Sequence, residues 1–377
     1  MKKILFLIHN MNRGGAQRVL VDLANRLPSD QYDITVQSIF DQGDLKNDLV
    51  PTIRYKTIVS CKNKRLFTLM AWAVRRILPL KLVANHFLDS DYDLEIAYLE
   101  GESTRLIANH TKCSGKKIAW VHADMMILFT VQGLYRTLED HRRVYEQFDR
   151  IVCVSEGCRE GFLQRFGYPA DNVEVLYNLV NCDRIVQKAA EAIEYESRPG
   201  LNIVMVGNCR KEKAYDRMLS VCKRLFDEGY SFNVTILGSG SEYMKLNNSC
   251  RQMGMDDRIR MPGAVSNPYP YMKRADMLVC SSVHEAFSTA VIEACLLSLP
   301  TLTTNCSGMK EILEDGKYGM IVDNSEEGLC EGLRKVLDNP EILEHYREIL
   351  PQRSEFFAVS RRIDETTNLF NRVMDET

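Results

Sequence analysis

Short apolar runs alternate with amphipathic segments along the whole chain, and this alternation limits the fold more than any other feature. The first series of strand-like runs comprises Ile4–Ile8, Ile34–Ile39, Leu94–Tyr98, Ile118–Val121, Ile151–Val154 and Val173–Leu176. The second comprises Ile203–Val206, Asn233–Leu237, Ile259–Met261, Met277–Cys280, Thr301–Thr303 and Met320–Val322. Helical spacing fills the intervals, as in Ala16–Leu27, Arg217–Glu228 and Thr289–Ser298. Continuous apolar strands separated by helices predict an α/β fold with parallel sheets covered on both faces.

The strand–helix rhythm is interrupted once, by a polar stretch that ends in Ser197-Arg198-Pro199-Gly200. A chain of 377 residues is long enough for two domains, each with its own core. We therefore predict a doubly wound domain over residues 1–180, a linker over 181–200 and a second doubly wound domain from residue 201. In such sheets ligands bind outside the carboxyl ends of the strands, so the cleft between the domains is the expected site.

Charge and cysteine content narrow the class of protein. The formal net charge is −3, but residues 1–175 carry +3 and the remainder −6, which suggests that the two halves meet different partners. Nucleic-acid binding has no support outside the basic stretch 61–88.

The apolar run Ile4–Ile8 is too short for a signal peptide, and no run approaches 18 apolar residues. The 12 cysteines form no CxxC pair, so we expect reduced thiols in a cytoplasmic chain.

Residues 61–88 contain basic residues and no acidic one. Apolar residues recur there at helical spacing together with Phe67 and Trp72, and Pro79 ends the pattern. The residues expected on a membrane or acceptor side are Lys62, Lys64, Arg65, Trp72, Arg75 and Arg76. A basic amphipathic helix with aromatic residues can lie on an anionic membrane surface. A helix that packs on the core and exposes a basic flank is the alternative.

Glycines follow two of the predicted strands. Gly14 and Gly15 lie between the first strand and the first helix, where backbone N–H groups can approach an anion or a sugar. Such glycines also serve turn geometry alone. Gly238 and Gly240 resemble part of a dinucleotide fingerprint, but Tyr243 occupies the place of the third glycine, which disfavours NAD binding.

The most informative stretch runs from Ser281 to Glu293. It joins the strand Met277–Cys280 to a helix for which Ser288 is a candidate cap. The N–H groups of Phe287–Thr289 would form an anion site at the positive end of the helix dipole. Glu285 precedes this site and Glu293 reaches back beside it, so a bound diphosphate would have a carboxylate for the hydroxyls on each side. Two surface glutamates at chance spacing are the alternative.

Lys213 follows the first strand of the second half, on a loop expected at the same edge. A cation there can neutralise a leaving diphosphate. Arg210 and Lys211 are alternatives for this role.

These features resemble the retaining glycosyltransferase family 4, which has the GT-B fold of two Rossmann-like domains, over nearly the whole chain. The landmarks in the first half are Gly14-Gly15-Ala16-Gln17-Arg18, Trp120-Val121-His122-Ala123-Asp124, Val154-Ser155-Glu156 and Leu176-Tyr177-Asn178. Those in the second half are Val206-Gly207 with Lys213, Leu237-Gly238-Ser239-Gly240, Gly263–Pro270, Glu285 with Glu293, Gly308-Met309-Lys310-Glu311 and Asp315–Gly319. Their order and spacing together make the resemblance specific.

The resemblance implies roles for individual residues. Catalytic roles fall to His122 at the donor sugar, Glu285 on the sugar hydroxyls and Lys213 on the diphosphate. His122 as a structural residue at a strand end is the alternative. The other donor-side residues are Gly14, Gly15, Gly207, Asn208, Arg210, Gly238, Ala264, Val265, Phe287, Ser288, Thr289 and Glu293. Glu293 would hold the ribose, and the Gly263–Ser266 loop would meet the base. Residues 359–377 would form a helix that returns to the first domain, after a second domain that ends at 358.

The resemblance implies a metal-independent transferase without a cofactor. It would move a hexose or N-acetylhexosamine from a nucleotide sugar, with UDP favoured, to a glycan or lipid-linked acceptor of surface polysaccharide synthesis, at the inner face of the membrane. Asn208 stands where the family often has arginine, and Ala286 where glycine is usual. These departures keep two alternatives open: a non-catalytic partner subunit, and a sugar-nucleotide epimerase or phosphorylase of the same fold.

Overall fold

The computed structural model describes residues 1–60, 68, 79–126, 133–194 and 198–376. The chain forms two compact units. The first consists of Met1–Leu179 together with Ser360–Thr377, and the second of Val180–Val359.

The first unit is built on a parallel sheet of seven strands in the order β3, β2, β1, β4, β5, β6, β7. The strands are β1 Lys2–Ile8, β2 Tyr32–Phe40, β3 Arg54–Val59, β4 Leu94–Ala97, β5 Lys116–Val121, β6 Arg150–Cys153 and β7 Val173–Val175. Among the described residues up to 179, the α-helices with given bounds are α1 Gly15–Ala24, α2 Leu80–Phe87, α3 Glu102–Asn109, α4 Leu138–Tyr145 and α5 Glu156–Phe166. The central strand β1 is fully buried from Ile4 to Ile8, as expected for a strand covered on both faces.

The second unit repeats this architecture with six parallel strands in the order β10, β9, β8, β11, β12, β13. The strands are β8 Leu201–Val206, β9 Phe232–Leu237, β10 Ile259–Gly263, β11 Met277–Cys280, β12 Thr301–Thr304 and β13 Met320–Val322. The helices are α6 Cys182–Ala189, α7 Tyr215–Asp227, α8 Tyr243–Gln252, α9 Tyr269–Arg274, α10 Thr289–Leu296, α11 Met309–Leu313, α12 Glu326–Asp338 and α13 Glu341–Ser354. The predicted fold class, two doubly wound α/β units, is confirmed.

The last helix, α14, spans Val359–Asp375 and packs in the first unit. Phe370 is fully buried there, with its ring centroid 6.2 Å from that of Phe6 and 6.4 Å from that of Trp120. The hydroxyl of Tyr32 donates to Asn371 Oδ1 at 2.9 Å. The helix therefore shares the apolar core under the central strands of the first sheet.

Two elements differ from the sequence prediction. The strand β3 was not predicted, because exposed or half-buried polar residues such as Arg54 and Lys56 interrupt its apolar pattern at the edge of the sheet. The segment 181–200, predicted as a linker, begins with the helix α6, which the side chain of Asn181 caps by accepting from Arg184 N. Ile185 and Ala189 of this helix are buried, so the segment is part of the second unit.

Within the described ranges, no helix combines the length and the apolar character that crossing a bilayer requires.

Candidate active site

Three loops meet at the carboxyl edge of the second sheet. The N–H of Gly207 donates to Leu237 O at 3.0 Å, and the N–H of Cys209 donates to Ser239 O at 2.9 Å. A Cβ atom on Gly238 would lie 1.8 Å from the carbonyl oxygen of Gly207, so only glycine permits this approach. The predicted donor-side glycines Gly207 and Gly238 thus bring the loops after β8 and β9 together.

Lys213 and Glu285 form an ion pair at this edge. The Lys213 ammonium contacts Glu285 Oε1, and the two side chains are only 21% and 12% exposed. The hydroxyl of Ser282 donates to the same carboxylate oxygen at 2.7 Å. Burial on its own lowers the pKa of Lys213, but the Glu285 carboxylate and the neighbouring Cys280 raise it above its ordinary value. The lysine therefore remains a cation at neutral pH, held in place by the glutamate.

The backbone around this pair is fixed by contacts that the sequence did not reveal. Arg217 donates to the carbonyl oxygen of Ser281 and, at 3.0 Å, to Asn324 Oδ1. The hydroxyl of Ser281 donates to the carbonyl oxygen of Lys213 at 2.8 Å. Arg217 lies in the first turn of an amphipathic helix, where a solvated arginine is the ordinary expectation, so nothing in the sequence singled it out.

The helix α10 begins where the loop after β11 ends. Ser288 occupies the N-cap position with extended backbone, as predicted, but its hydroxyl makes no capping hydrogen bond. Its Oγ atom is buried and has no partner within the described part of the chain. The first N–H groups of any α-helix also lack partners inside the helix. Polar hydrogens are thus available at the positive end of the helix dipole, as an anion site requires.

Glu293 lies one turn further along α10 and is half-buried. The hydroxyl of Tyr269, at the start of α9, donates to its Oε1 atom at 3.0 Å. Tyr269 itself is 5% exposed. This bond, which the sequence analysis missed, fixes the direction of the carboxylate.

Asn208 and Arg210 are exposed, and Arg210 approaches Glu212 at 3.9 Å. Ala286 is buried, and its carbonyl oxygen lies so close to Gly308 that a Cβ atom there would meet it at 2.3 Å. Ala264 is exposed and Val265 half-buried in the loop after β10. Asn208 therefore places no cation at the position usually held by a family arginine, and the nearby Arg210 is exposed with Glu212 as a neighbour at 3.9 Å.

The first sheet has its own polar carboxyl edge. Gly14 is the N-cap residue of α1 and Gly15 its first residue. His122 follows β5, and its backbone N–H, like that of Ala123, donates to Glu100 Oε1. Burial raises the pKa of Glu100 against the opposing effect of these hydrogen bonds. Glu100 was not among the predicted site residues, since its partners are backbone groups that no side-chain pattern reveals.

Burial lowers the pKa of His122 to about 3. Its ring lies 4.6 Å from that of Tyr98, and its Nε2 atom is buried without a partner in the described structure. His122 is therefore a neutral imidazole that can exchange hydrogen bonds but carries no charge.

The residues predicted on a membrane side, Lys62, Lys64, Arg65, Trp72, Arg75 and Arg76, lie outside the described residues. The adjoining helix α2 is described. Its Leu82 is 66% and its Phe87 40% exposed, and Lys81 and His86 are exposed beside them.

Two family models cover most of the chain. The model described as Glycosyltransferase Family 4 matches residues 13–184, and the model described as Glycosyl transferases group 1 matches residues 192–353. The chain belongs to the family 4 glycosyltransferases.

Among relatives of this family 4 glycosyltransferase is the N-acetylgalactosamine-N,N'-diacetylbacillosaminyl-diphospho-undecaprenol 4-alpha-N-acetylgalactosaminyltransferase of Campylobacter jejuni. The two are 24% identical over 370 residues, which cover 95% of this chain and 96% of the relative. The lipopolysaccharide core biosynthesis glycosyltransferase LpsE of Rhizobium meliloti is 23% identical over 195 residues, 51% of this chain and 55% of the relative. These relatives are glycosyltransferases of bacterial surface-glycan and lipid-linked synthesis.

The solved structure of Anabaena Alr3699/HepE in complex with UDP-glucose is similar to the family 4 glycosyltransferase with a TM-score of 0.76 at 17% identity, over 99% of this chain and 100% of that one. This similarity confirms the GT-B fold. The ligand-binding roles of the individual residues stay predictions.

Two histidines of the first unit whose pKa is lowered, His122 and His141, make its stability depend on pH. His141 is 3% exposed and stacked on Tyr135 at 3.8 Å, and burial, aided by Arg165, lowers its pKa to about 4. Both His141 and His122 are neutral when folded, whereas an unfolded histidine takes up a proton below about pH 6.5. Their stabilising contribution is present above that pH and is lost as the pH falls, by about 1 kcal/mol for each histidine between roughly pH 7.5 and 5.5.

We therefore expect His141→Phe, which keeps an aromatic ring on Tyr135, to reduce the loss of unfolding free energy between these two pH values by about 1 kcal/mol. Urea titrations of both proteins at each pH measure it. The contribution of Glu100 to the pH dependence of the unfolding free energy has the opposite sign to that of the histidines. It is the same in both proteins and therefore cancels from their difference. An identical pH dependence in the two would show that His141 is protonated in the folded state.

Proposed function

We propose that the protein is a retaining, metal-independent glycosyltransferase. It transfers a hexose or N-acetylhexosamine from a nucleotide sugar, with UDP as the nucleotide, to a glycan or lipid-linked acceptor. The observation that carries this proposal is the half-buried Lys213–Glu285 pair beside the start of α10. It combines a fixed cation, a run of helix N–H groups and a carboxylate within one loop cluster.

This cluster matches the chemistry of a sugar diphosphate. The Lys213 ammonium and the N–H groups at the start of α10 neutralise the diphosphate, which supplies the charge stabilisation that a metal ion gives in other enzymes. The carboxylates of Glu285 and Glu293 accept hydrogen bonds from hydroxyl groups of the sugar and the ribose. UDP is chosen over other nucleotides because the similar Alr3699/HepE structure holds UDP-glucose.

For the proposed retaining reaction, the state of the Glu285 carboxylate favours a displacement on one face of the sugar over a covalent glycosyl-enzyme intermediate. Glu285 already accepts hydrogen bonds from Lys213 and Ser282, which makes it a weak nucleophile. We therefore propose a displacement on one face of the sugar. The bond from the anomeric carbon to the diphosphate oxygen breaks, the acceptor oxygen bonds to that carbon, and the acceptor proton passes to the leaving diphosphate. Lys213 stabilises the negative charge that develops on the diphosphate.

The acceptor is proposed from the relatives and from charge. The Campylobacter jejuni relative is named for an undecaprenol-diphosphate-linked acceptor. The net charge of +3 on residues 1–175 suits a lipid diphosphate or an anionic membrane. We propose that the protein acts in the assembly of a surface polysaccharide or glycoconjugate, at the inner face of the cytoplasmic membrane.

The test of the proposed function is calorimetric titration of the protein with UDP, GDP and ADP in buffer with EDTA. We expect UDP to bind, since cation and helix N–H groups hold the diphosphate without a metal. Binding that requires a divalent cation would contradict metal independence. Failure of all three nucleotides to bind would contradict the donor site and favour the non-catalytic partner subunit, which the uncharged Asn208 position also suits.

We expect Lys213→Ala to lower turnover at saturating donor by roughly 10²–10³-fold, the usual cost of removing one preorganised group that stabilises developing charge. The measurement is sugar release from the UDP-sugar that the enzyme accepts, followed with increasing donor. Lys223→Ala is the control, because this lysine of α7 has a side chain that is 41% exposed and is not a candidate for the role. Turnover near that of the control would remove Lys213 from the proposed role.

We also propose that residues 61–88 contact an anionic membrane, since Leu82 and Phe87 are exposed on α2 next to the basic segment. The protein is expected to float with vesicles of phosphatidylglycerol and phosphatidylcholine. Raising NaCl from about 0.1 M to about 1 M shortens the Debye length from about 10 Å to about 3 Å and should release it.

Replacement of Lys62, Lys64 and Arg65 by glutamine is expected to reduce flotation. Replacement of Lys223, Lys245 and Lys317, three exposed lysines of the second unit, is the control for loss of charge alone. Equal flotation of the two triple variants, or flotation that salt does not change, would rule out this membrane surface.

A further inference from the structure

The helix α6, which lies in the segment predicted as a linker, is connected to the loop after β10. Asn267 Nδ2 donates to the carbonyl oxygen of Lys188 at 2.8 Å and to Glu191 Oε2 at 2.7 Å. The Oδ1 atom of the same Asn267 accepts from the N–H of Tyr269 at 3.2 Å. One asparagine therefore connects α6 to the first residue of α9.

A second connection runs through side chains. The guanidinium of Arg184, in the first turn of α6, lies 5.9 Å from the centroid of the Tyr269 ring. Arg184 also hydrogen-bonds the phenolic oxygen of Tyr269, whose own hydroxyl hydrogen goes to Glu293 Oε1 at 3.0 Å. Arg184, Tyr269 and Glu293 thus form a relay from α6 through α9 to α10.

The Tyr269 hydroxyl remains protonated and therefore donates the hydrogen bond in this relay. Burial, and then the charge of Glu293, raise its pKa above the ordinary value, so the hydroxyl keeps its proton at any pH at which the enzyme would work. A hydrogen bond from a neutral donor to a carboxylate is short and directional. It restricts the rotation of a glutamate side chain, which otherwise loses considerable conformational freedom when it binds a ligand.

We propose that Tyr269, supported by Arg184, is a positioning residue that orients Glu293 for the ribose hydroxyls of the nucleotide. The relay thereby makes the site selective for ribonucleoside diphosphates over their deoxy counterparts. A carboxylate can accept several hydrogen bonds, so the bond from Tyr269 leaves capacity for a ribose hydroxyl. This inference rests on the proposed function, because it requires that the second unit binds a nucleotide.

The test compares UDP with 2′-deoxy-UDP and 3′-deoxy-UDP by calorimetry on the full chain. The wild-type protein is expected to bind UDP roughly tenfold more tightly than at least one of the deoxy nucleotides, the loss that a missing hydrogen bond to a charged group produces. In Tyr269→Phe this ratio should fall to about that of Glu293→Ala, while affinity for the same deoxy nucleotide stays near the wild-type value. Arg184→Gln should change the ratio in the same direction.

Tyr243→Phe is the matched control. Its hydroxyl donates to the carbonyl oxygen of Met261 at 2.7 Å, so this change also removes a tyrosine hydroxyl at the same edge of the sheet. It should leave the ratio at the wild-type value.

The possible results separate the two proposals. A wild-type protein that binds no nucleotide refutes the proposed function. A wild-type protein that binds UDP but does not discriminate the deoxy nucleotides refutes the positioning role alone. The same holds if Tyr269→Phe weakens UDP and both deoxy nucleotides equally, because that pattern indicates a general loss of structure.

Discussion

The ion pair between Lys213 and Glu285 is the interaction on which the site in the second unit depends. Removing two charges from water is costly, and a buried pair is often no more stabilising than apolar residues of the same size. Here the glutamate is satisfied twice over, by the lysine and by Ser282. Burial alone would lower the pKa of Lys213, but Glu285 raises it. The lysine therefore stays positively charged although much of its side chain is removed from water. The pair therefore keeps a positive charge at this edge, which the proposed binding of a diphosphate requires.

The parallel sheet is what brings the two partners together. Lys213 and Glu285 are 72 residues apart in sequence, but each follows a central strand, β8 or β11, that pairs with the other. Strands that run in the same direction end at the same edge of the sheet. The loops that follow them therefore lie close together even when they are far apart in the sequence. The close approach at Gly238 and the bonds of Arg217 then fix how these loops lie. The topology of the sheet thus determines which loops lie together at the site, and a few local contacts fix their conformation.

The same topology explains what the sequence could and could not predict. Buried strands such as β1 and β11 contain continuous apolar runs that predict them, whereas the edge strand β3 carries Arg54 and Lys56 and lacks such a run. The helix α6 was hidden because its polar residues outnumber its buried ones, Ile185 and Ala189. Lys213, Glu285, Ser288 and Glu293 could be chosen because residue type and position after a strand already suggest their chemistry. Arg217, Tyr269 and Glu100 could not, because their partners are backbone atoms or side chains that only the folded chain brings near.

The contrast between the two carboxyl edges points to a division of chemistry within the chain. In the second unit a cation is preserved by its partner, whereas in the first unit burial makes His122 neutral and raises the pKa of Glu100. Glu100 accepts hydrogen bonds from the backbone N–H groups of His122 and Ala123, which holds in place the backbone from which the imidazole projects. A neutral imidazole can donate a hydrogen bond to a hydroxyl group or accept one from it, but it offers no positive charge to a phosphate. This difference supports the proposal that the edge of the second sheet binds the diphosphate and that the edge of the first sheet at His122 meets hydroxyl groups of the sugar.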